Sequence, residues 1–269
     1  MPLPCYSVAA LILLLLVPSG TWGECIDYAD YLHEAGSLET PDWTLGVAVS
    51  GTVAYVAGYH SGLLVIDVSN PASPAMPAIV DTPGEALRVA VSGMVAYVSD
   101  GGSGLQVIDV SNPASPTILG SVDTPGEALG IAVSGTVAYV ADGDSGLQVI
   151  DVSNPGAPTI LGNVDTPMHA EGVATSGTMV YIADGDSGLQ VIDVSNPASP
   201  TILGSVDTPG VAKGVAVSGV TAYVADHSAG LSVIDISNPA SPAILGSIAV
   251  EGNGFGVAVS GTVAYVAAG

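Results

Sequence analysis

Thr136-Val-Ala-Tyr-Val-Ala-Asp-Gly-Asp-Ser-Gly-Leu-Gln-Val-Ile-Asp-Val-Ser-Asn-Pro155 is the stretch whose reading decides the fold. It holds two short apolar runs rich in β-branched residues, separated by a polar, glycine-containing turn and closed by Ser-Asn-Pro, which is the punctuation of a β-hairpin. The first run, Val137-Ala-Tyr-Val-Ala141, is apolar on nearly every residue rather than on alternate ones, which predicts a strand buried on both faces. The same wording returns along the chain. Tyr55, Tyr97, Tyr139, Tyr181, Tyr223 and Tyr265 follow one another at intervals of 42 residues, and a period of that length signals a solenoid, propeller or array.

Working outward to one whole unit, Gly130 to Glu171, four runs emerge: Gly130-Ile-Ala-Val133, Thr136 to Ala141, Leu147 to Val152 and Thr159 to Val164. Each is bounded by Gly, Asp, Asn or Pro, so four short strands per unit are expected. Recurrent prolines, as in Asp165-Thr-Pro167, leave no room for long helices. Four-stranded blades stacked face to face around an axis bury both faces of the second strand. A β-helix is the alternative, though its repeats are much shorter. The expected fold is therefore all-β, a β-propeller of six four-stranded blades. First strands begin near Val47, Val89, Ile131, Val173, Val215 and Val257, and the sixth unit contains only two strands before Gly269. Glu24-Cys-Ile-Asp-Tyr28 reads as a degenerate third strand and Ser37 to Thr40 as a fourth. A degenerate half-blade over residues 24–45 would then close the ring and remove exposed edges. The other reading is that further repeats follow Gly269.

The wording also resembles a known family. Tyr-Val-Ala-Asp-Gly, then Gly-Leu-Gln-Val-Ile-Asp-Val-Ser-Asn-Pro, then Asp-Thr-Pro-Gly and Val-Ala-Val-Ser-Gly, is similar to the LVIVD repeat of bacterial and archaeal surface proteins over about Gly46 to Gly269. The resemblance implies a β-propeller in an exported or surface location, and says little about activity.

Residues 1–23 carry no charge, and the apolar run Val8 to Val17 is followed by Pro18-Ser-Gly20 and Thr21-Trp-Gly23. This reads as a secretory signal peptide cleaved after Gly23, with an uncleaved N-terminal anchor as the alternative. Cleavage would leave Cys25 alone, without an intrachain disulfide. With 25 acidic against 2 basic residues the formal charge is -23, which repels nucleic acid and anionic membranes and attracts cations and basic partners; a salt-rich habitat would explain the charge equally well. An apolar fraction of 48%, regularly placed, excludes disorder.

In a propeller the loop leaving the fourth strand and the hairpin between second and third strands open on one face, and the acids gather in both. Asp81, Asp123, Asp165 and Asp207 begin the loops; Asp100, Asp142, Asp184 and Asp226, with Asp144 and Asp186, occupy the hairpins. Asp142, Asp144, Asp184 and Asp186 are candidates for weak calcium binding, because Asp-Gly-Asp-Ser-Gly resembles the opening of a calcium loop. Its later ligands are missing, and an Asp-Gly pair also arises for backbone reasons alone. The strand-end acids Asp67, Asp109, Asp151, Asp193 and Asp235 are expected to cap turn amides.

The copies disagree most at the mouth of the central channel. Aligned on the period, one position reads Trp43, Glu85, Glu127, His169, Val211, Asn253 and another Leu45, Leu87, Leu129, Glu171, Lys213, Phe255; Arg88 replaces a recurrent glycine. Trp43, Glu85, Arg88, Glu127, His169, Glu171, Lys213 and Phe255 are thus the expected ligand-binding residues, with variability of exposed loops as the other explanation. No catalytic group is assembled by spacing; His169 with Glu171 and Glu127 is the one conceivable acid/base set. The reading is an exported or cell-surface binding or adhesion module, its partner an extracellular protein, a carbohydrate or a basic ligand. The alternatives are a channel-mouth hydrolase or lyase and a structural surface-layer component.

Overall fold

The computed structural model describes residues 35–269. Every regular element in it is a β-strand. Five antiparallel four-stranded sheets, each in sequential strand order, form blades one to five over residues 46–80, 88–122, 130–164, 172–206 and 214–248. The first two strands of a sixth blade follow at Gly254–Ser260 and Val263–Ala268. In blade three the strands are Gly130–Ser134, Val137–Ala141, Leu147–Asp151 and Thr159–Val164, the runs read from the sequence to within a residue or two.

First strands pack on one another from blade to blade around a common axis. A narrow channel of about 140 Å³ runs along it, lined from all six blades by Val47, Arg88, Ile131, Val173, Lys213 and Phe255 among others. The apolar interior lies between blades. Tyr97, Leu105 and Val107 of blade two meet Ala138, Val140, Ile150 and Val152 of blade three, and the same sandwich recurs at the neighbouring joints. This is why the second strand is buried on both faces: one face packs on the blade before and the other on the blade after. Fourth strands form the outer rim and are largely exposed.

Close approach of backbone demands glycine on the fourth strands. Gly120 in the fourth strand of blade two passes within 2.7 Å, measured from a hypothetical Cβ, of the Pro155 carbonyl in the next blade's Ser-Asn-Pro turn. Gly36 lies in the same relation to the Pro71 carbonyl, at 2.4 Å. Leu38 packs on the face of blade one formed by Ala54, Val56, Leu64 and Ile66. Residues 36–38 therefore ride in the register of an outer strand ahead of blade one, 35 residues before their proline as in the other blades. Ser37 to Thr40 forms no strand, and its expected partner Glu24 to Tyr28 lies outside the described residues, as does the expected signal peptide. Among the described residues no helix is long and apolar enough to cross a membrane.

Candidate functional site

The two ends of the propeller differ in chemistry. At one end each third strand finishes in an aspartate whose Oδ1 accepts the amide of the serine two residues on, at 2.8–2.9 Å for Asp67, Asp109, Asp151, Asp193 and Asp235. These bonds pull the carboxyls of Asp67, Asp109, Asp151 and Asp235 below their ordinary pKa. The turn-capping expectation holds, and this end shows a repeated pattern with little individuality.

The opposite end carries the hairpins and the loops between blades. Backbone pairs such as Gly143 with Ala170 tie each hairpin to the following loop. Here the acids divide into two kinds. Asp142 is fully buried: Thr124 donates to its Oδ1 at 2.5 Å and the Gly126 amide to its Oδ2 at 2.9 Å. Thr82–Asp100, Thr166–Asp184 and Thr208–Asp226 repeat the arrangement, each linking the loop that leaves one blade to the hairpin of the next. Burial raises the pKa of Asp100, Asp142 and Asp184, partly offset by these hydrogen bonds.

The calcium expectation is corrected for Asp142 and Asp184. Both oxygens of each are engaged by the protein and shielded from solvent, so neither can turn outward to a cation. Asp144 and Asp186 remain on exposed tips, and among the described residues no three ligating side chains converge on a metal position. The latch was missed at the sequence level although its signal was present: threonine and aspartate recur together 18 residues apart in four joints, and the pair is incomplete ahead of blade one, as Thr40 with Gly58, and ahead of the two-stranded sixth sheet, as Val250 with Ala268.

The channel-mouth residues gather at this same end. Lys213 Nζ forms a close ion pair with Glu171. Arg88 Nη1 donates to the carbonyls of Leu45 at 2.7 Å and Leu87 at 3.0 Å; burial lowers its pKa while Glu171 acts in the opposite sense. His169 lies over Gly143, where any Cβ would collide with the imidazole, and its Nδ1 stands 3.0 Å from Asp144 Oδ1. Since Asp144 is 95% exposed, that pair is a weak one. The acid/base set expected of His169, Glu171 and Glu127 is therefore not assembled: the histidine is partnered by Asp144 and Glu171 by Lys213.

Trp43 and Phe255 head two aromatic contacts. Trp43 stacks on Tyr59 with centroids 6.2 Å apart, and Tyr59 meets the His60 ring at 4.1 Å. Phe255 meets His227 edge to face at 5.4 Å. Tyr59 and His227 have φ of 48° and 41°, left-handed values that glycine supplies at the equivalent tips Gly101, Gly143 and Gly185. A non-glycine side chain costs about 1 kcal/mol or more there. Glu85 hydrogen-bonding raises the pKa of Tyr59, helped by burial and by the charges of Glu85, Asp42 and Glu127.

The sequence pattern of the LVIVD repeat matches residues 44–82, 83–124, 125–166, 168–208 and 209–250, so the chain belongs to the LVIVD repeat family. No curated protein matches. Among solved structures it is similar to a chain of the mitotic checkpoint complex, at 13% identity and TM-score 0.73 over 87% of this chain and 74% of that one. It is also similar to the Cps50 (Swd1) β-propeller domain of Myceliophteria thermophila, at 11% identity and TM-score 0.65 over 80% of this chain and 75% of that one. A functionally unknown protein from Desulfotomaculum acetoxidans DSM 771 matches at 16% identity and TM-score 0.65 over 80% and 73%. At these identities the likeness defines the class, a β-propeller.

Proposed function

We propose that this protein is an exported β-propeller binding module whose ligand is received on the hairpin end of the channel. The observation that supports this is that the residues in which the repeats differ lie at the hairpin end: Arg88, Lys213 and Phe255 line the channel, and Trp43, Glu85, Glu127, His169 and Glu171 stand in the loops and beside the hairpin tips around it, while the other end repeats itself. A face selected only for folding would vary in step with its neighbours; a binding face needs individual side chains at individual positions. Extracellular protein, carbohydrate and basic ligands are the classes that suit an acidic, aromatic-bearing mouth. The leader-like residues 1–23 support export, and residues 24–45 are proposed to complete blade six.

The test is a peptide and glycan array probed with the wild-type chain, with a mouth variant carrying Glu171→Leu and Lys213→Leu together with Trp43→Glu, and with a variant altered in the Ser-Asn-Pro turns. Saturable binding that only the mouth variant loses is the expected result. Loss confined to the turn variant, or turnover of an array compound, would overturn the reading. A second reading, lateral self-association in a surface layer, draws on the exposed pairs Ile118–Leu119, Ile160–Leu161 and Ile202–Leu203 on the rim, and predicts concentration-dependent assembly in place of array binding.

A further inference from the structure

The repeats serve as controls for one another, and blade one departs from them at four positions that meet in space. Asp42 stands where the other units have Gly84, Gly126, Met168, Gly210 and Gly252; Trp43 stands where units two and three have Glu85 and Glu127. Tyr59 stands at the tip where blades two to four have glycine, and His60 where they have Gly102, Asp144 and Asp186.

Asp42 builds the cluster. Its Oδ1 accepts the Trp43 amide at 2.8 Å and its Oδ2 the His60 amide at 3.2 Å, pinning the incoming loop to the hairpin. The three rings are thereby held in succession, Trp43 on Tyr59 and Tyr59 on His60. Trp43 is 70% exposed, so its indole is presented to solvent rather than used for packing. Tyr59 holds its place at a left-handed φ of 48°, a cost that glycine would avoid and that brings its ring into the stack.

The charges around the rings are of one sign. Glu85, Asp42 and Glu127 are the groups acting on Tyr59. Both basic side chains of the chain are committed elsewhere, Lys213 to Glu171 and Arg88 to the Leu45 and Leu87 carbonyls. Electron-rich ring faces beside uncompensated carboxylates attract a cation, which a ring binds within about 6 Å of its centroid.

Resting on the binding-module reading above, we propose that the Trp43–Tyr59–His60 cluster at the mouth of blade one receives an arginine or lysine side chain of a basic peptide, laid over the exposed indole with Asp42 and Glu85 as counter-charges. The negative field of 25 acidic groups against two basic ones draws such a segment in from a distance.

The experiment is a ligand-observed NMR titration of the full chain with acetyl-Gly-Arg-Gly-amide, its lysine counterpart, the citrulline analogue that keeps arginine's shape without its charge, and cellohexaose. The cationic peptides should bind saturably, and citrulline about tenfold or more weakly. Tyr59→Gly restores the residue that neighbouring blades use, so it should fold at least as stably as the wild type while losing the peptide, which separates a ligand role from a folding one. Trp43→Glu should lose it too. Equal binding of the citrulline analogue, binding of cellohexaose in its place, no saturable binding by the wild type, or full binding by Tyr59→Gly would each overturn the proposal. Array binding that survives Trp43→Glu alone and Tyr59→Gly, but disappears in a variant carrying only Glu171→Leu and Lys213→Leu, would sink this site and leave the wider reading standing.

Discussion

The joint between blades two and three and the joints flanking blade six are built from the same repeat and come out differently. Between blades two and three the buried Thr124–Asp142 pair closes the loop, and Tyr97 is buried against Ala138, Val140 and Ile150. Ahead of blade one the latch is broken: Gly58 stands where the other joints have an aspartate, and Thr40 donates its hydroxyl to the Asp42 carbonyl at 3.0 Å instead. Val47 is 53% exposed where its counterpart Val89, packed on blade one, is 8% exposed, and Tyr223, the counterpart of buried Tyr97, is partly exposed beside a two-stranded neighbour. A repeat acquires its interior only from a complete neighbour, as expected where stability is a sum over adjacent units.

The comparison breaks most severely if the N-terminal segment is removed. Deleting residues 24–40 strips Leu38 from the blade-one face of Ala54, Val56, Leu64 and Ile66. Uncovering Leu64 and Ile66 alone costs roughly 1.5–3 kcal/mol each, and an open strand edge invites aggregation. A drop of several degrees in melting temperature with higher-order species in light scattering is expected. A monomer melting at the wild-type temperature would show that these residues do not complete a blade.

Next in size is the latch itself. Thr124→Val leaves a fully buried carboxylate short of one donor, at about 1–3 kcal/mol. Thr40→Val, at the unlatched joint, should cost about 0.5 kcal/mol or less, in the range of an ordinary surface change. Urea midpoints of the two variants compare them directly, and equal losses would erase the distinction between joints.

The latches also set a pH dependence. Asp100, Asp142 and Asp184 have folded pKa values raised by burial above the unfolded value of 3.8, so folding favours their protonated form. Their destabilising contribution at neutral pH is relieved as pH falls through the raised values toward 3.8. Asp67, Asp109, Asp151 and Asp235 are lowered instead: the stability they add is present above 3.8 and lost as pH falls through their folded values. Melting temperature should therefore rise from pH 7 to a maximum on the acid side and then fall, with the rise smaller in Asp142→Asn. A steady decline from pH 7 downward, or an unchanged rise in that variant, would contradict this assignment.

The smallest expected effect is that of calcium. Because Asp142 and Asp184 are occupied inside the latches, calcium and sodium chloride at matched ionic strength should raise the melting temperature alike, by general screening of the acidic surface. A larger, saturable calcium shift, abolished by Asp144→Asn with Asp186→Asn, would restore a metal site at the hairpin tips.

The blade was legible in the sequence because each of its strands is short, local and repeated. The apolar run Val137–Ala141 and its flanking turns specify a doubly buried strand without reference to anything distant, and the 42-residue period multiplies that statement along the chain. The variable mouth was legible for the same reason, since repeats expose their own exceptions. What escaped depended on contacts between units. Asp142 and Asp144 look alike in Asp-Gly-Asp, yet one points inward to Thr124, 18 residues earlier, and is fully buried, whereas the other stands in water beside His169. Likewise Trp43 was visible as an odd residue, but its stacking on Tyr59 through Asp42 was not. The sequence by itself determined the strands, the period and the end of the channel at which individuality gathers. Only the tertiary structure decided which acids are buried and which aromatics meet, because burial and stacking are properties of the packing between blades: Asp142 is covered by the loop carrying Thr124, while Asp144, two residues on, sits at the uncovered tip.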